Sequence, residues 1–265
     1  MGLPKLTIIK IGGNVIDNSE KLHHFLKDFS ALEGLKILVH GGGKIASELG
    51  LGMGIIPNMV EGRRITDIET LRVVTMVYAG LINKNLVAQL QNFQCNAIGL
   101  SGADGNSIKT VKRAVKDGLD YGYVGDITSD SINVSAISNL LSVSFIPVFS
   151  AITHDGNGQL LNTNADTIAS SLAQSLSKLY AVDLVYCFEK KGVLSDLNDP
   201  ESVITLINRT SFETLKQDGI VADGMIPKIK NALEAVEKGV SAVFITCAED
   251  LSNFNHKKSG TKITL

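Results

Sequence analysis

The chain predicts an α/β protein built on a mostly parallel sheet. Short apolar runs suited to buried strands recur at residues 7–11, 35–40, 96–100, 144–149, 184–188 and 241–247. Stretches with helical spacing separate them. Two of the runs end directly in glycine turns, Gly12-Gly13 and Gly41-Gly42-Gly43. The 265 residues suit one large domain or two fused lobes, with 44 % hydrophobic content and a net charge of −2. No basic excess points to nucleic acid or an anionic membrane surface. Cys95, Cys187 and Cys247 lie in apolar runs without CxxC spacing and read as core thiols of a reducing compartment. No His/Cys ligand spacing suggests a metal site. The N-terminus shows no apolar leader, and no run is long enough to span a membrane, so a cytoplasmic protein is expected.

Residues 7–14, TIIKIGGN, place Lys10 inside an apolar run. An unpaired buried ammonium is costly, and paired glycines let backbone approach a ligand closely. A strand delivering a lysine and bare N–H groups makes an anion site; a lysine snorkelling from a frayed strand end fits the same letters. A short helix is expected over 19–29. The strand over 35–40 enters Gly41-Gly42-Gly43-Lys44, and IASELG continues with helical spacing. That layout aims N–H groups and a helix start at an anion, although a tight turn without ligand has the same pattern. It is not a P-loop, because Ile45 follows Lys44, and the later glycines do not form GxGxxG.

Residues 55–65 read as two extended pieces around Glu61-Gly62, closed by Arg63-Arg64. One guanidinium is expected to fork onto a carboxylate or phosphate and the other to be solvated. Thr66 and Glu69 read as a capping box for a helix over roughly 67–93. Its apolar positions exceed one stripe, and the surplus is expected to serve a second subunit. Edge segments follow at 108–115 and 121–127, a helix at 132–141 and a strand broken by Pro147. In LLNTNADT, Asn162, Asn164 and Asp166 stand two apart. On extended backbone they share one side, which suggests a polar site; a helix cap is the alternative. Residues 211–217 read as a short helix. Pro227 fits only the first turn of the next one, so Lys228 stands near its start. A cation is unfavourable there unless an anion intervenes. The last strands are expected at 241–247 and 263–265.

Two lysines from opposite ends of the chain, two glycine turns, an arginine and an Asn/Asn/Asp cluster are what phosphoryl transfer between two anions needs. Its transition state is stabilised mainly by positioning and positive charge. No Ser/His or Cys/His pair argues for a covalent intermediate.

The stretches IIKIGG, VHGGGK, EGRRITD, GLSGADG, LLNTNADT, DGMIPKI and the terminal GTKI occur in that order over nearly the whole chain. Together they resemble the acetylglutamate kinases of the amino acid kinase group. KIGG and HGGG are shared loosely across the group; GRRITD with LNTNAD and GMIPK is the specific combination. The resemblance implies one amino acid kinase domain over 1–265, a three-layer αβα sandwich with a central, mainly parallel sheet, forming a homodimer. Residues 1–175 would bind the acyl amino acid and carry the dimer surface, and 176–265 would bind ATP with Mg2+. The implied reaction moves the γ-phosphoryl group of ATP to the side-chain carboxylate of an N-acyl-L-glutamate, the second step of arginine biosynthesis. N-acetyl-L-glutamate is the default; N-succinyl-L-glutamate, or the free amino acid of a glutamate 5-kinase, is the alternative.

By position, Lys10 and Lys228 would stabilise the transferring group and Asp166 would hold both ammoniums. Gly42, Gly43, Arg64, Asn162 and Asn164 would bind the acyl amino acid, Arg64 taking its α-carboxylate. Gly12 and Gly13 would offer N–H groups, and Glu189, Gly192, Leu194, Ile220, Val221 and Ala222 would border the nucleotide. No side chain is assigned as a metal ligand. One departure is Phe188-Glu189-Lys190-Lys191-Gly192, where the family commonly carries Ser-Asp-Val-x-Gly. Lys10 also stands too close to the N-terminus for the extra helix of arginine-inhibited relatives, so weak arginine inhibition and no hexamer are expected.

Overall fold

A computed structural model describes residues 2–60, 62–196, 198–221, 225–254 and 260–265. Strand β1 (Lys5–Ile11) is followed by α1 (Gly13–Ile16) and α2 (Ser19–Ala31), the latter capped by Asn18, which accepts from the N–H groups of Glu20 and Lys21. Next come β2 (Leu35–His40), α3 (Gly43–Gly52) and the hairpin of β3 (Asn58–Val60) and β4 (Arg63–Ile65). A long helix then runs as α4 (Ile68–Thr75), a π-helical segment (Met76–Ile82) and α5 (Asn83–Asn92). Beyond it lie β5 (Ala97–Leu100), the paired β6 (Val111–Lys112) and β7 (Gly125–Asp126), and α6 (Val134–Ser142). They lead to β8 (Ile146–Ser150), β9 (Ile152–His154), β10 (Leu160–Asn162) and α7 (Ala165–Leu176). The remainder is β11 (Ala181–Phe188), β12 (Leu206–Ile207), α8 (Arg209–Gln217), α9 (Ile226–Glu237), β13 (Ala242–Cys247) and β14 (Thr261–Ile263).

The chain forms two compact units: Met1–Lys36 with Leu172–Leu265, and Ile37–Ser171. In the first, the strand order is β12-β14-β13-β11-β1. The β1–β11, β11–β13 and β12–β14 pairs are parallel, whereas β14 runs antiparallel to β13. Every residue of β1 after Lys5 is buried, so both faces of this strand are covered. That is why it reads as a continuous apolar run and not as an alternating one. Lys10 is the exception in chemistry, a lysine only 9 % exposed.

In the second unit, β8 lies between β2 and β5, with all pairs parallel. Pro147 does not break β8. The ladder to β2 begins at Leu38 opposite Val148, one residue past the proline, so no bond on that side needs its missing N–H.

Two other expectations change. The capping box at Thr66 does not form: Asp67 caps α4, accepting the Thr70 N–H at 2.8 Å. Thr66 is fully buried and donates to the Arg64 carbonyl while accepting from Asn162. And the extended segment ends at Asn162, so Asn164 and Asp166 do not continue the strand's side. Asn164 accepts the Thr167 N–H at 3.0 Å and caps α7, with Asp166 in its first turn.

Candidate functional site

A cleft of about 350 Å³ opens in the first unit where β1 and β11 end. Gly12, Gly13, Glu189, Gly192, Leu194, Val221 and Lys228, all expected around the nucleotide or the transferring group, line it. Ile220 is not among its walls, and Ala222 lies outside the described residues. Lys10 and Lys228 meet at one side chain: their Nζ atoms lie 5.5 Å and 4.0 Å from the centroid of the Phe188 ring. Pro227 in the first turn of α9 sets Lys228 close to the helix start, as its letters require.

The backbone around the cleft is fixed by specific contacts. Gly12 donates its N–H to the Cys187 carbonyl at 3.2 Å, joining the two strand ends, so that group is already engaged. Gly192 has a packing reason: a Cβ there would stand 2.7 Å from Thr261 Oγ1 and 2.9 Å from Val203 Cγ1. Thr261 Oγ1 in turn accepts the Val193 N–H at 2.8 Å. The terminal GTKI stretch therefore holds the turn that walls the cleft. Of the two added lysines, Lys190 faces the cleft and Lys191 pairs with Glu201. Burial pushes the Cys187 thiol far up, and burial with a bond to Asp250 raises Cys247 to about 11. Neither is a thiolate nucleophile at neutral pH.

The second unit gathers Gly42, Gly43 and Arg64. Arg64 Nη2 donates to the Gly43 carbonyl at 2.9 Å and to Ser47 Oγ at 2.7 Å, whereas Arg63 is exposed. One arginine is built in and its neighbour is solvated. Gly42 adopts φ 145°, and a Cβ on it would stand 2.1 Å from Ile82 Cδ1 and 3.3 Å from Tyr78 Cδ1. Both contacts come from the π-helical segment, whose wide turn brings Tyr78 and Ile82 onto the glycine turn; such segments recur at functional sites. Burial raises the Tyr78 phenol, while the adjacent Arg64 guanidinium pulls it down. Asn162 reaches this group through its bond to Thr66 Oγ1 at 3.1 Å.

Beneath the turn, His40 is fully buried, and desolvation lowers it to about 4. A carbonyl only accepts, so Nδ1 carries the proton and donates to Gly41 at 2.9 Å. Nε2 then accepts from Asn83 Nδ2 at 3.0 Å. Asn83 also donates to the Val148 carbonyl at 2.9 Å. Tyr78, Ser47, Asn83 and Phe188 escaped the sequence reading. Only Phe188 left a signal, as an unusual residue at a strand end.

Comparison with known proteins names this arrangement in two stages. The amino acid kinase family model matches residues 5–247, which sets the class. An acetylglutamate kinase of Cytophaga hutchinsonii is 55% identical over 98% of this chain and 99% of its own length. One from Bacteroides fragilis is 51% identical (98% and 97%), and one from Methanopyrus kandleri 41% identical (93% and 96%). The crystal structure of smu.665 from Streptococcus mutans UA159 superposes with a TM-score of 0.77 at 27% identity, covering 98% of both chains. Carbamate kinase from Giardia lamblia shares the fold at a TM-score of 0.67 and 16% identity, covering 98% of both chains. The chain belongs to the amino acid kinase family, on its acetylglutamate kinase branch.

Proposed function

We propose that the protein is an ATP-dependent kinase that phosphorylates the side-chain carboxylate of N-acetyl-L-glutamate, releasing an acyl phosphate and ADP, as the second step of arginine biosynthesis. The observation that carries this reading is the meeting of Lys10 and Lys228 at Phe188 beside a glycine-lined cleft. The names of the full-length relatives supply the acceptor. The acceptor carboxylate is already ionised at neutral pH and attacks phosphorus directly. No general base is needed. Lys10 and Lys228 bring positive charge to the oxygens of the transferring group. Gly13, Glu189, Gly192, Leu194 and Val221 border the nucleotide, with Ile220 and Ala222 retained from the resemblance.

In this reading the acyl amino acid is bound from within residues 1–175 and the nucleotide from 176–265, with Gly13 reaching the nucleotide from just past the end of β1. Arg64, fixed on Gly43 and Ser47, takes the α-carboxylate, with Gly42, Gly43, Asn162 and Asn164 around the acyl amino acid; Asp166 is the third catalytic residue. Among the described residues no group of three His, Cys, Asp or Glu side chains could hold a metal. Mg2+ is proposed to arrive on the phosphates of ATP. Met76 and Leu81, about half exposed on the long helix, support the proposed homodimer across that surface. A monomeric sedimentation coefficient would exclude it. Among the described residues no helix is long and apolar enough to cross a membrane; a cytoplasmic location is part of the proposal.

The test is MgATP-dependent acyl phosphate formation, trapped as hydroxamate, with N-acetyl-L-glutamate, N-succinyl-L-glutamate, free glutamate, aspartate and carbamate in parallel. Turnover of N-acetyl-L-glutamate alone is expected. Preference for the succinyl compound would change the acyl group, and activity on free glutamate alone would move the enzyme to a sister activity.

A further inference from the structure

Resting on the phosphotransfer reading, we propose that Phe188 is a positioning residue: its ring gathers the Lys10 and Lys228 ammoniums at the cleft before phosphate arrives. The two nitrogens lie 5.5 Å and 4.0 Å from one ring centroid, so the sum of these distances is the most that can separate them. Both distances are within the range where a ring's negative face attracts a cation. Core packing does not account for a phenyl group here. Tyr186 and Cys187 before it are buried, whereas Phe188 is only half-buried and forms part of the cleft wall. Its ring is itself held, lying 8° from parallel to Tyr186 with centroids 5.9 Å apart.

The choice of group has a chemical logic. Two neighbouring ammoniums repel, and the negative face of a ring against both offsets part of that repulsion. A ring's quadrupole steadies both cations without adding net charge beside the phosphates of ATP, and so can act alongside the Asp166 carboxylate.

The experiment uses the full-length enzyme with leucine, tyrosine, or mono-, di- and trifluorinated phenylalanine at position 188. Fluorine withdraws charge from the ring face with little change in volume. Phe188→Tyr is expected to keep kcat within about twofold, and Phe188→Leu to lower it about tenfold, the loss of an ordinary cation–π contact. The fluorinated series is expected to fall stepwise in kcat with each fluorine, while KM for the acyl-glutamate holds. A flat fluorine series, or Phe188→Leu at the wild-type rate, with wild-type enzyme active, overturns the role of Phe188 alone. Wild-type enzyme that phosphorylates none of the acceptors overturns the phosphotransfer reading, and this role with it.

Discussion

Arg64 and Lys228 are both cations proposed to meet oxyanions, yet the chain holds them in opposite ways. Arg64 is locked by hydrogen bonds to a backbone carbonyl and a serine, with a buried tyrosine beside it. Lys228 is exposed and rests against an aromatic face. The difference matches the two tasks. A carboxylate that only has to be recognised is met best by a planar fork fixed in advance, whereas a phosphoryl group whose charge shifts during transfer is met best by a compact ammonium able to follow it.

Substitutions can sharpen or break this contrast. The largest effect is expected from Lys228→Ala and Lys10→Ala, each lowering kcat by about a thousandfold or more through lost electrostatic stabilisation. For the exposed Lys228 the melting temperature should hardly move; a kcat within tenfold of wild type would dissolve the contrast. Gly42→Ala comes next. Its φ of 145° and the Ile82 methyl at 2.1 Å predict a loss of about 2–4 kcal/mol in denaturant unfolding. Arg64→Lys should raise KM for the acyl amino acid about tenfold or more and leave KM for ATP unchanged, because a point charge cannot replace a two-pronged donor.

An effect of another kind is expected from pH. His40 is held neutral, its pKa lowered from 6.5 to about 4 by burial. The unfolded chain therefore binds the extra proton first as pH falls. Stability should decline from about pH 6.5 to about pH 4, by on the order of 3 kcal/mol in all, and level off below. His40→Asn should flatten that slope in unfolding measured across the range. Smallest of all, Glu201→Ala should leave the melting temperature unchanged within error, since its exposed pairing with Lys191 is screened by water.

Much of this molecule can be read in its letters, and the unreadable parts share one cause. The strand over 35–40 matches β2 residue for residue, because a largely buried strand carries closely spaced apolar residues, here Leu35, Ile37, Leu38 and Val39. Lys10 and Lys228 stood out because a lysine in such a run, or at a helix start, demands an explanation. What failed depends on partners distant in sequence. Thr66 resembles a helix cap but serves Asn162, and Asp67 caps instead. Nothing in MVYAGLI announces a π-helical segment, whose purpose appears only with Gly42 beneath it. Gly192 could pass for a turn residue until Thr261 is seen against it. Phe188 looked like a local departure, because two lysines far apart in the chain give its ring a meaning.

The order in which the chain is strung has its own consequence. The unit of Ile37–Ser171 is one uninterrupted segment, while the other joins the first residues to the last. Ile8 pairs with Leu184, and the Val193 turn waits for Thr261, near the very end. As the polypeptide leaves the ribosome, the continuous unit can complete itself while β1 still lacks its partner β11. The glycine-lined cleft is thus the last part of the molecule to form. A chain cut short before β14 would carry a finished second unit and an unfinished wall to the glycine-lined cleft.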